Sequence, residues 1–165
     1  MKPSPDFENS IRILEAYEDM ELVEKLMLTI WAGTELDVIP AHVLVTTARN
    51  GGLVLASYNG EEMNGMLFGF VGMTARLNRP KFKHCSHILG VLEDERSSGI
   101  GFKLKRAQWQ MVRNQGLELA TWTFDPLLSR NAYLNISKLG AVCNLYKRDD
   151  YGDMRDALNA GLGSD

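Results

Sequence analysis

The chain has 165 residues, 45% of them hydrophobic and 24% charged, with a formal net charge of -3 at pH 7. That composition suits one soluble globular domain spanning residues 1–165, large enough to bury a core without metal or disulfide. It argues against nucleic-acid binding by bulk charge, and no apolar run approaches the ~18 residues of a membrane span.

"MKPSPDFENS" lacks the apolar centre of a signal peptide, so the cytoplasm is the expected compartment. "IRILEA" (11–16) alternates weakly and opens a sheet. "EDMELVEKLMLTIWAG" follows as a helix with Asp19 as N-cap, Met20, Val23, Met27 and Ile30 on one face, and Gly33 as its stop. "IPAHVLVTTARNGG" is a second short helix, with Pro40 near its first turn and Gly51 just past its end. "LVLASY" and "GMLFGFVGM" are apolar runs joined through Asn59-Gly60, a strong hairpin signal, so they are expected as antiparallel neighbours.

After "ARLNRPKFK" comes "HCSHILGVL" (84–92), read as a central strand, and then a helix that carries Ile100, Leu104, Ala107 and Met111 on one stripe and stops near Gly116. "LELATWTFDP" (117–126) is a further strand ended by Asp125-Pro126. "SRNAYLNISKLG" (129–140) is a short helix with Ser129 as N-cap and Gly140 as stop, and "AVCNLYKR" (141–148) a last strand. The order predicts an α/β (α+β mixed) fold around one sheet. Met63, Met66 and Met73 are expected as core filler, and Trp31, Trp122 and Phe124 as packing. Cys85 and Cys143 are expected to be reduced and buried. With His42, His84 and His87 they form no zinc spacing, so no metal is expected.

The chemistry-bearing stretch is "ERSSGIG". A helix start leaves backbone N–H groups without intrahelical partners, and with the helix dipole these favour an anion. Glycine removes the Cβ that would hold a phosphate away. The N–H groups of Ser97, Ser98, Gly99, Ile100 and Gly101 are thereby placed to wrap a phosphate, with Arg96 adding charge. The third glycine of a dinucleotide fingerprint and the Gly-Lys of a P-loop are both absent. Glycines that merely ease a strand-to-helix turn are the alternative.

"HILGVLEDERSSGIGFKLKRAQ" resembles the acyl-CoA pyrophosphate motif of the GNAT (Gcn5-related) N-acyltransferases, and "SRNAYLNISKLGAV" is similar to that family's later helix ending in K-L-G-[FA]. The element order extends the resemblance over nearly the whole chain. "ELDVIPAHVL", "TWTFDPLLSRNAYLN" and "YGDMRDALNAGL" look like a less characterised subgroup. Two positions depart from the pattern: Ser97 stands where a glycine is usual, and Ile136 where a tyrosine often serves as general acid.

The resemblance implies a mostly antiparallel twisted sheet with a splayed parallel strand pair, flanked by helices. It also implies direct attack of an amine on an acyl-CoA thioester. Acetyl-CoA, or another donor such as succinyl-CoA, is the implied co-substrate, and a small-molecule amine, an amino acid among the candidates, the acceptor. The backbone of Leu89, Gly90 and Val91 would pair with pantetheine, helped by a bulge near Gly90. Arg96 and the backbone from Ser97 to Gly101 would hold the pyrophosphate. Asn131 would bond the pantetheine arm and Tyr133 protonate the thiolate, or else pack. His87, expected on the face of Leu89 and Val91, is the candidate base, with a structural hydrogen-bonding role as the alternative; His84 is expected on the opposite face. Lys103 and Arg106 would meet the nucleotide phosphates or form a solvated face. Asp125 would bind an amine or make a turn. A final strand usual in the family is not evident in "YGDMRDALNAGLGSD", so a second copy covering the sheet edge, giving a homodimer, is an expectation. A non-catalytic CoA-binding or regulatory module is the alternative function.

Overall fold

A computed structural model of the protein describes residues 10–32, 38–74, 79–147 and 150. Five strands form one sheet in chain order: β1 (Ser10–Ile13), β2 (Leu53–Asn59), β3 (Glu62–Met73), β4 (Phe82–Val91) and β5 (Ala120–Thr121). The first four are antiparallel neighbours, and β5 runs parallel to β4. A parallel pair requires a crossover, and α3 (Ile100–Asn114) provides it. The remaining helices are α1 (Tyr17–Trp31), α2 (Ala41–Arg49) and α4 (Ser129–Ala132), the last continuing in wider π winding over Tyr133–Lys138. Among the described residues no helix is long and apolar enough to cross a membrane.

The hairpin expected at Asn59-Gly60 is present: β2 ends on Asn59 and Gly60 turns the chain with φ 61°. The sheet then has two apolar faces. On one, Met20, Val23, Met27 and Ile30 of α1 and Leu44 of α2 pack with Val54, Ala56, Met66 and Phe68. On the other, Ile100 and Leu104 of α3 pack with Leu55 and Leu67, joined by Leu89 and Val91 of β4. Gly65 permits that second contact, because a Cβ there would lie 2.9 Å from Ile100 Cγ2.

Helix starts are handled differently from the expectation. α1 begins at Tyr17 after Ala16, so Asp19 lies within its first turn, where its charge suits the dipole but caps nothing. Pro40 directly precedes α2, and the capping oxygen comes from another helix: Glu24 Oε2 accepts the Ala41 N–H at 2.8 Å. Gly51 lies past α2 with φ 86°. Gly33 lies outside the described residues.

Several other expectations are corrected. Residues 141–147 form no strand and are mostly exposed, including Cys143. An apolar alternation is only a strand if a neighbour supplies a ladder, and none of the described strands pairs there. For the same reason the strand expected over 117–126 shrinks to Ala120–Thr121. Met66 is fully buried and Met63 packs at the core edge, but Met73, at the end of β3, is 52% exposed. Asp125 makes the turn, its Oδ1 accepting the Leu127 N–H at 2.8 Å.

Candidate active site

The bond ladder between β4 and β5 is short. His84 pairs with Ala120 and Cys85 with Thr121, and His84 N–H reaches Leu119 O at 2.8 Å. Beyond Cys85, residues 86–91 have no partner on that side among the described residues. The strands part there. Trp122, the residue after β5, is held toward the helix at 129–138 by its indole N–H, which donates to Asn135 Oδ1 at 2.8 Å. Asn135 is buried and its Nδ2 donates to Asn131 O at 2.9 Å. The helix at this point is wound wide, with Leu139 N–H bonded five residues back to Leu134 O at 3.0 Å.

At the upper mouth of this cleft β4 passes through a 3-10 turn (Glu93–Glu95) into α3. Two departures to positive φ, on either side of Ser98, shape the loop: Ser97 at 72° and Gly99 at 90°. A serine in that region is uncommon and stores strain, a cost concentrated at functional loops. No side chain among the described residues caps α3, since its N-cap residue is Gly99, and the Ser98 hydroxyl donates to Glu95 O at 2.6 Å. The first-turn N–H groups of α3 therefore point out of its mouth without side-chain partners. Arg96 sits beside them, its Nε 3.4 Å from Val91 O and its Nη1 3.8 Å from Glu93 Oε1, both at the weak limit of such contacts. The guanidinium is thus part-buried at the loop and held there by long contacts.

The two glycines differ. Gly99 is required by its own backbone. Gly101 is not: a Cβ there would meet only Leu89 Cδ2 at 3.7 Å and Leu134 Cδ2 at 3.9 Å, ordinary contacts. Gly90 answers a third need, since a Cβ would come within 2.5 Å of the Trp31 ring. Its absence of side chain seats α1 on the sheet.

The β4 bulge is not at Gly90. Phe68 pairs with Ile88 and Gly69 with Ser86, so His87 is the extra residue. One inserted residue reverses which face later side chains occupy. His87 therefore lies on the α1 face, edge-on to the rings of Phe68 and Phe70 at centroid distances of 6.2 and 6.0 Å. His84 shares the α3 face with Leu89 and Val91, the reverse of the sequence expectation. His87 is exposed, yet loss of water to its surroundings lowers its pKa below the usual imidazole value of 6.5. Tyr133 is 59% exposed, its ring centroid 5.5 Å from Lys138 Nζ, and Ile136 is 44% exposed. Lys103 is partly exposed and Arg106 exposed.

A buried polar group on the α3 face escaped sequence reading. Lys105 Nζ donates to Ser86 Oγ at 2.6 Å and lies 4.1 Å from the Trp122 ring centroid. Gln108 Nε2 donates to His84 Nε2 at 2.9 Å, which leaves the proton on His84 Nδ1, a buried atom without a partner among the described residues. Burial, then the neighbouring Lys105 charge, lowers the His84 pKa to about 4, and burial lowers that of Lys105 to about 7. Gly69 makes room for this pair, since its missing Cβ would collide with His84 Nε2. The signal was present in the spacing: Gln108 stands four residues after Leu104 and eight after Ile100, on the buried stripe. Among the described residues no His, Cys, Asp and Glu cluster could hold a metal.

No family model and no curated protein matches the chain. Solved structures do. An aminoglycoside acetyltransferase, meta-AAC0020, from an uncultured soil metagenomic sample is 19% identical with a TM-score of 0.67, covering 84% of this chain and 93% of that one. AAC(6')-Iy in complex with the bisubstrate analogue CoA-S-monomethyl-acetylneamine is 15% identical with a TM-score of 0.65, covering 85% and 98%. A transcriptional regulator from Bacillus halodurans C-125 is 15% identical with a TM-score of 0.62, covering 84% and 96%. The parted parallel pair, the glycine-bearing helix mouth and these matches define the class: the chain has the GNAT fold.

Proposed function

We propose that the protein is an acyl-CoA-dependent N-acyltransferase, with acetyl-CoA or a related thioester as donor and a small-molecule amine as acceptor. The observation that carries this reading is the mouth of α3 beside the parted strands: no side chain among the described residues caps the helix, and at Gly101 neither backbone nor neighbours need glycine, which leaves its first turn open to a ligand. A pyrophosphate is the kind of anion that such a bare first turn accepts. The unpaired stretch of β4 supports the rest, offering backbone groups of Leu89, Gly90 and Val91 to an extended pantetheine arm. Asn131, on α4, would bond the pantetheine arm. Two similar structures are aminoglycoside acetyltransferases, one holding a CoA bisubstrate analogue, which supports a CoA thioester and an amine as the reacting pair.

In this reading the protein mainly positions two reactants and manages protons. His87, on the α1 face, takes the proton from the incoming ammonium, and its lowered pKa keeps it neutral and receptive at pH 7. Ile136 and the outward Tyr133 support a second reading, a CoA-binding regulatory module without turnover. One experiment separates the two: calorimetric titration with CoA, together with thiol release from acetyl-CoA and succinyl-CoA over a panel of small amines. Binding with amine-dependent release is the expected result, binding without release favours the module, and no binding rejects both.

A further inference from the structure

On the acyltransferase reading above, the departing CoA thiolate needs a proton, and neither Ile136 nor the exposed Tyr133 ring is set to give one. We propose that Lys105 is that proton donor.

The geometry points to it. Cys85 and Thr121 are the last paired residues of β4 and β5, and the residues that follow them in the chain, Ser86 and Trp122, are the ones that Lys105 touches. Its amine therefore bridges the floor of the cleft at the point where the strands begin to part. Of its three N–H bonds when charged, one is given to Ser86 Oγ and one side faces the Trp122 ring. A third finds no partner among the described residues. A lysine 6% exposed, with no carboxylate beside it among the described residues, is also an expensive way to fill space. From β4 it is faced by His84 and Ser86, from its own helix by Gln108, and from the segment after β5 by Trp122, whose indole is tied to Asn135. Lys138, on the helix at 129–138, is turned to the rings of Phe102 and Tyr133. His84, with its pKa near 4, is neutral at pH 7, so nothing in that ring of neighbours fixes the charge on Lys105. Its own pKa of about 7 lets it hold a proton and release it at neutral pH.

The two titratable groups then stand on opposite faces of β4 with separate tasks. His87 accepts a proton from the ammonium on the α1 face. The amine nitrogen bonds to the thioester carbon, the C–S bond breaks, and sulfur leaves with the electron pair and takes a proton from Lys105 Nζ on the α3 face. The nitrogen loses its second proton to solvent as the amide forms, and solvent then takes the proton from His87 and reprotonates Lys105.

The test compares wild type with Lys105→Met, which keeps the length and volume of the stem, across a pH series with acetyl-CoA and a responsive amine. The expected loss in kcat is about 100-fold, with KM for acetyl-CoA changed less than about threefold. The ratio of wild-type to variant kcat/KM cancels the ionisation of the acceptor. It should fall toward unity as pH rises through about 7, where Lys105 loses its proton. A ratio independent of pH, near unity, or rising with pH overturns the inference. If Lys105→Met does not fold, Ser86→Ala carries the test: removing the acceptor of the ammonium hydrogen bond should move the alkaline fall of kcat/KM to lower pH, and an unmoved fall overturns the inference. Wild type that neither binds acetyl-CoA nor releases thiol rejects the acyltransferase reading and this inference with it, whereas turnover with a pH-independent ratio rejects this inference alone.

Discussion

Replacing Gly101 by alanine separates a glycine kept for folding from one kept for a ligand. The residue lies in the first turn of α3 at an ordinary φ, and the new Cβ would sit 3.7 and 3.9 Å from two leucine methyls, in van der Waals contact without overlap. Alanine there restricts the unfolded chain and should stabilise the protein by about 0.4–1 kcal/mol. For a chain of this size that raises Tm by roughly 1–4 °C. The same methyl group would stand between the α3 mouth and a pyrophosphate. Losing one charge-assisted N–H bond costs about 1.5–3 kcal/mol, or roughly 10- to 100-fold in CoA affinity. Gly99→Ala is the companion. At φ 90° and ψ 0°, an L side chain costs about 1–2 kcal/mol, so this variant should lose stability. Scanning calorimetry without ligand and isothermal titration with CoA read both quantities. Gly101→Ala that binds CoA as wild type does would refute the phosphate role and leave the loop as a turn only.

Three further outcomes are expected. Gly69→Ala should destabilise by about 2–3 kcal/mol in urea unfolding, because its Cβ would meet His84 Nε2 and lie 2.8 Å from Cys85 O, and backbone cannot yield as a side-chain tip can. His87→Gln should remove the acid limb of the kcat/KM profile, a limb lying below the usual imidazole value of 6.5 because burial lowers that pKa; an unchanged limb dismisses His87 as base. Stability should depend on pH in two windows. Lys105 has a folded pKa of about 7 against an ordinary 10.5, so between those values the unfolded chain binds more protons and stability rises with pH, by at most about 1.4 kcal/mol per unit. His84, at about 4 against 6.5, makes stability fall again as pH drops through that lower interval. Chemical unfolding at a series of pH values, repeated with Lys105→Met, should show the upper slope only in wild type.

Much of the fold was legible because its signals are local. Asn59-Gly60 fixes a hairpin through backbone preference, Pro40 and Gly51 bracket a helix, and the four-residue spacing of Ile100 and Leu104 marks the face of α3 that meets the sheet. Strands were less secure. The alternation in residues 141–147 has the composition of a strand, but a strand exists only with a partner, and none of the described strands pairs with it. The same dependence cut β5 to two residues and so opened the cleft.

The sequence by itself determined the mouth of the candidate site: two glycines and an arginine where an apolar strand turns into an amphipathic helix are a matter of residue type and order. Tertiary structure alone decided the floor. A single bulge at His87 exchanged the faces of the two histidines, because strand period counts residues and an insertion shifts the count. Lys105 and Ser86, 19 residues apart, became neighbours only when α3 packed back along β4. The burial that lowers the lysine's pKa comes from that packing, and a sequence position carries no burial of its own.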